Sequence, residues 1–181
     1  MRLQSTAHYH GMVQRMRLLI YISGPSCVGK TTLAKQLLAA RPGFVHVSGN
    51  KYWVATKCSD FGQKVLRTNR KIVRAVRGMV RDRLLLDWVP HGGEFRTALA
   101  AACSARRRRF VQIALTATDK VLQARKFKRD RSRDTHRHPT PGLAGIPDCT
   151  VIDTTRLRPA GVHAQAQRFL RRIGVRPWAG P

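Results

Sequence analysis

Apolar and polar positions fall into blocks along this chain. Five short, predominantly apolar runs stand at residues 18–22, 44–47, 84–87, 110–115 and 150–152. Apolar runs of this length, bounded by polar residues, fit strands buried on both faces. Between them the period lengthens. Residues 65–80 place Ile72, Val73, Val76, Met79 and Val80 on one face, with Arg70, Arg74, Arg77 and Arg81 elsewhere, a helical repeat. Further helices are predicted at 31–40, 95–105, 120–128 and 160–172, with Thr118 as an N-cap and Pro159 in the first turn of the last. Strands alternating with helices predict an α/β fold: a three-layer sandwich of about five parallel strands with helices on both faces.

Two stretches break the pattern. Residues 48–63, "SGNKYWVATKCSDFGQ", mix aromatic and polar side chains, and residues 129–148, "RDRSRDTHRHPTPGLAGIPD", are charged and then rich in Pro and Gly. Both are expected to be mobile loops on the ligand side of the sheet. Residues 1–16 read as a flexible basic extension, residues 17–174 as a single domain, and residues 175–181 as a tail.

Between the first strand and the first helix lies "GPSCVGKTT": Gly24, Pro25, Ser26, Cys27, Val28, Gly29, Lys30, Thr31 and Thr32. It satisfies G-x-x-x-x-G-K-[ST] at every fixed position, between the strand and helix that give that motif its meaning. Glycines let the backbone close around an anion, and successive N–H groups with the helix N-terminus make the cradle. Lys30 is then placed for the β- and γ-phosphates of ATP, and the Thr31 hydroxyl for Mg²⁺.

Charge changes the picture. Lys and Arg number 35 against 9 Asp and Glu, a formal net charge of +26. A polyanionic partner would explain this excess, because each neutralised phosphate releases counterions; an Arg-biased genome is the alternative. Residues 67–83 carry seven basic side chains, residues 106–109 four more, and residues 125–137 are dense again. Cys27, Cys58, Cys103 and Cys149 lie far apart without C-x-x-C pairing, which points to reduced thiols and a cytosolic compartment. No apolar run approaches the ~20 residues of a membrane span.

With these residues in view, the chain from about Arg17 to Ile173 resembles the small P-loop kinases of the adenylate-kinase-like group. The likeness rests on "GPSCVGKTT", "FVHVSGN", "LLLDW", "VLQARKFKRDRSR" and "CTVIDTTRLRPAGV". It implies ATP and Mg²⁺ as cofactors and an arginine-bearing lid at about residues 119–147. Arg125 and Arg129 would stabilise the transferring phosphoryl group, with Lys128, Arg131 and Arg133 in reserve. Such kinases often carry an acidic residue just after the second strand; here Asn50 stands there, and an amide cannot accept a proton at neutral pH. Asp87, at the end of the third strand, is the carboxylate left to act either on Mg²⁺ through water or as a base. Asp60 is its reserve. Alternatively, Asn50 marks an inactive form.

The acceptor wall is expected between residues 48 and 69. Tyr52 and Trp53 could stack on a base, and Gln63 and Asn69 could read a base edge, or these side chains could serve core and caps instead. Fold and charge together suggest a kinase acting on DNA, resembling the bacteriophage 5-hydroxymethyluracil DNA kinases, which would place it in the host cytoplasm. A polynucleotide 5′-end kinase fits nearly as well. The alternatives are a kinase of a free nucleoside, nucleotide or antibiotic, and a non-catalytic P-loop protein that binds nucleic acid.

Overall fold

A computed structural model describes residues 17–89, 93–131 and 146–175. Strands and helices alternate as β1 (Leu18–Ser23), α1 (Lys30–Ala39), β2 (Val45–Ser48), α2 (Gly49–Val54), α3 (Phe61–Gly78), β3 (Arg83–Asp87), α4 (Gly93–Ser104), β4 (Arg109–Thr116), α5 (Asp119–Asp130), β5 (Cys149–Asp153) and α6 (Pro159–Arg172). The strands form one sheet in the order β2-β3-β1-β4-β5. Every pairing is parallel.

Central β1 explains the layers. Leu18, Ile20 and Ile22 face a core shared with Leu33 and Leu37 of α1 and Ala166 and Leu170 of α6. Leu19 and Tyr21 face the opposite core with Ile72 and Val76 of α3 and Leu99 and Cys103 of α4. A strand covered on both sides has no polar face, hence its unbroken apolar sequence. Burying each large aliphatic side chain here contributes about 1.5–3 kcal/mol. The strand order changes direction beside β1, so the carboxyl ends of β1 and β3 open a crevice, the place where ligands bind in such sheets.

The expected strands and their parallel arrangement are present. The loop expected at 48–63 is not: α2 occupies its first part, and α3 begins at Phe61. The Asp60 side chain accepts a hydrogen bond from the Gln63 backbone N–H at 2.5 Å, an N-cap that starts α3 four residues before Val65. Thr118 is the N-cap residue of α5, but its side chain makes no capping bond. Arg129 and Asp130, expected in a loop, end α5. Most of the expected lid loop, the 1–16 extension and residues 176–181 lie outside the described residues, and Arg133 with them.

Candidate active site

The loop after β1 is shaped by left-handed backbone. Gly24 has φ +142, and a Cβ there would fall 2.4 Å from the Leu115 carbonyl oxygen, so only glycine fits. Cys27 at φ 63 and Gly29 at φ 104 add two further left-handed residues. The chain therefore doubles back and enters α1 at Lys30, with no acidic residue in the first turn to oppose an anion. The Lys30 ammonium bends across this loop and donates to the Pro25 carbonyl at 2.7 Å. Burial lowers its pKa to about 8, with the Asp87 carboxylate pulling the other way.

Asp87 ends β3 next to Ile22 of β1, which brings it to the loop. Its side chain is only 3% exposed. Oδ2 accepts from the Thr31 hydroxyl at 2.7 Å, and Oδ1 lies 2.9 Å from His46 Nε2. A hydroxyl and a carboxylate beside a phosphate-type cradle are hard oxygen donors, and they fit Mg²⁺, which takes one or two protein ligands and completes its shell with phosphate and water. Among the described residues, no group of three or more His, Cys, Asp or Glu gathers as a self-sufficient metal cage.

A cavity of about 560 Å³ opens over this loop. Ser26 through Leu33 form its floor, while Gly24 and Pro25 are buried behind. On one side stand Thr154, Leu157, Pro159 and Val162, an apolar shelf after β5 suited to a flat ring. On the other stand Asn50, Asp87, Trp88 and Val89. Arg125 and Arg129, one turn apart on α5, line it as well. The Arg125 guanidinium is anchored by two bonds to Thr154, to Oγ1 at 3.0 Å and to the carbonyl at 2.8 Å. Arg129 is exposed and pairs with Asp130, which raises its pKa.

The expected acceptor wall needs correction. Of its five residues only Asn50 lines the cavity. Trp53 packs against Trp88 at 6.1 Å and Phe61 at 5.6 Å, with the Lys64 ammonium 4.4 Å over its ring. Tyr52 packs on the same core. Asn69 is buried, and its Oδ1 accepts from the Trp88 indole N–H at 2.9 Å, so the amide serves the core. Gln63 is exposed in the first turn of α3. Asp60, the reserve carboxylate, is the α3 cap.

Sequence reasoning missed His46, Trp88 and Thr154 as parts of this site. The "LLLDW" stretch carried the signal for Trp88; nothing local marked the other two.

No family model and no curated protein sequence matches the chain. Solved structures do. The chain is similar to a gluconokinase from Sinorhizobium meliloti, with TM-score 0.68, 15% identity, and coverage of 88% of this chain and 95% of that one. It is also similar to the tunicamycin resistance protein of Deinococcus radiodurans, with TM-score 0.61, 22% identity, and coverage of 91% and 99%. The APS kinase of Thiobacillus denitrificans matches with TM-score 0.57 and 18% identity over 91% of this chain and 31% of that one. These likenesses establish the architecture: a P-loop kinase fold.

Proposed function

We propose that the chain is an ATP-dependent phosphotransferase that passes a γ-phosphoryl group to an alcohol. One observation carries the reading: the phosphate-type loop, the paired Thr31 and Asp87, and two arginines all face one cavity that also has an acceptor side at Asn50 and Trp88. ATP with Mg²⁺ supplies the reactive phosphoryl group. Lys30 and the main-chain amides hold and neutralise phosphate oxygens, while Thr31 and Asp87 hold the metal. Arg125 and Arg129 place positive charge where the transition state spreads negative charge. Asn50 orients the acceptor hydroxyl, and Asp87 is the one carboxylate among the described lining residues that could take its proton.

The acceptor we favour is carried on nucleic acid, as in the 5-hydroxymethyl group of 5-hydroxymethyluracil in DNA. The exposed side of α3 supports this: Arg67, Arg70, Lys71, Arg74 and Arg77 all face solvent. No carboxylate lies between Asp60 and Asp82. A nucleotide held in the duplex must be flipped out to reach the cavity, at a cost of a few kcal/mol. A small free alcohol, such as a nucleoside, sugar or antibiotic, is the second reading. It draws on the bounded cavity and on neighbours named for gluconate and other small substrates.

The test is transfer of label from γ-labelled ATP to unmodified DNA, hydroxymethyluracil DNA, 5′-hydroxyl oligonucleotides, and a mixture of free nucleosides and sugars. Label on hydroxymethyluracil DNA alone is expected. Label only on small alcohols selects the second reading. Tight DNA binding without any transfer would instead indicate a non-catalytic binding protein.

A further inference from the structure

We infer that His46 is a positioning residue that fixes the Asp87 carboxylate for metal binding; this rests on the phosphotransferase reading above. The β2–β3 register pairs His46 with Leu85 and Ser48 with Asp87, so His46 and Asp87 share one face of adjacent strands, two residues out of step. That offset lets the imidazole reach along the sheet to Asp87 Oδ1, at 2.9 Å, while Thr31 holds Oδ2 at 2.7 Å. Asp87 is thus spanned from both sides, by the first turn of α1 and by edge strand β2.

The geometry has a physical purpose. A carboxylate so fully buried needs donors on both oxygens, since an unsatisfied lone pair in this environment is costly. A single donor, Thr31, would leave it free to rotate about its Cβ–Cγ bond. With Oδ1 committed to His46, the carboxylate plane is locked and Oδ2 stays with the hydroxyl that joins it on the metal. His46 does not line the cavity, so it acts through Asp87 and touches no substrate. Partners of this outer kind typically change metal affinity by about 10–100-fold when removed.

The experiment titrates Mn²⁺, a paramagnetic stand-in for Mg²⁺, onto the full chain with ADP and reads free metal by electron paramagnetic resonance. His46→Ala is expected to weaken Mn²⁺ by about tenfold. His46→Gln, whose amide N–H extends as far as Nε2, is expected to restore most of the loss, whereas the shorter His46→Asn is not. In an Asp87→Asn background, His46→Ala is expected to add nothing further. Unchanged Mn²⁺ affinity in His46→Ala, or equal behaviour of the Gln and Asn variants, overturns the assignment. If the parent protein binds no Mn²⁺ with ADP at all, it is the phosphotransferase reading that fails.

Discussion

Gly49 abuts the indole of Trp88 so closely that a Cβ at this position would lie 2.3 Å from Trp88 Cε3 and 2.9 Å from the Asp87 carbonyl. Trp88 cannot easily yield, because its N–H is held by Asn69 and its ring packs on Trp53. Gly49→Ala must therefore push the indole into the cavity or shift the start of α2. The expected cost is about 1–3 kcal/mol in denaturant unfolding, the usual penalty for overpacking. The acceptor KM should rise while the ATP KM changes little. A variant with parental stability and kinetics would show that this contact constrains nothing.

What the sequence made legible depended on whether a signal was local. Strands β1, β3 and β4 are buried on both faces, so their apolar runs stand out without any knowledge of their neighbours. The phosphate-type loop is contiguous, and its spacing is its geometry. Helix α2 is too short to display a period, and α3 begins with the exposed Phe61, so both were hidden in what reads as a loop. His46 meets Asp87 only through the β2–β3 crossover, 41 residues away in sequence, and no spacing rule reveals such a meeting. Asn69 is different. It lies four residues after Val65 and three before Ile72, on the stripe that α3 buries, and that spacing alone marks it as a core amide.

Lys30 predicts an unusual pH dependence. In the unliganded protein its ammonium loses its proton near pH 8. ATP affinity should therefore fall as pH rises through that value, approaching tenfold per unit. Isothermal titration on either side of it checks this, and Lys30→Met should flatten the profile. Stability moves the other way. The folded pKa is lowered from 10.5 to about 8, so between these values the unfolded chain binds the proton more strongly. The penalty for burying the charged form is complete below about pH 8 and is relieved as pH rises through this window.

Two substitutions at the acceptor side separate charge from shape. Asp87→Asn keeps the size of the side chain but gives up its charge, and turnover should fall by about 10²-fold or more. The melting temperature should stay close to that of the parent if the fold does not need the charge. Asn50→Asp places a carboxylate on the cavity wall where the protein has an amide. If proton removal limits transfer, turnover should rise by roughly tenfold or more. No gain would place proton removal elsewhere, with Asp87 or with solvent.

Tyr21 offers a clean stability test. Its hydroxyl is buried between α4 and the sheet without a hydrogen-bond partner among the described residues, and burial drives its pKa well above the ordinary value. Removing an unpaired polar atom while keeping the ring should stabilise the fold, so Tyr21→Phe is expected to gain about 1 kcal/mol in chemical denaturation. Destabilisation would mean that the hydroxyl has a partner after all, such as a bound water.

The basic side of α3 is the most direct lever on the acceptor. From Arg67 to Arg77 the helix runs ~15 Å, comparable to the spacing of several phosphates along one strand of a duplex. Its buried residues, Val65, Thr68, Asn69, Ile72 and Val76, lie on the opposite side, so changing the arginines leaves the core intact. A variant with Arg67, Arg70, Arg74 and Arg77 all replaced by Gln should therefore unfold within about 0.5 kcal/mol of the parent. It should also bind ATP equally well. For DNA, the slope of log affinity against log salt should shrink by about 3–4, near 0.9 for each lost phosphate contact. Transfer to polymer-borne acceptors should fall in step, while transfer to any small alcohol should not. A salt slope that survives the four substitutions would move the polymer to other basic residues, with exposed Arg107 and half-buried Arg106, whose guanidinium donates to the Arg77 carbonyl at the end of α3, the next place to look.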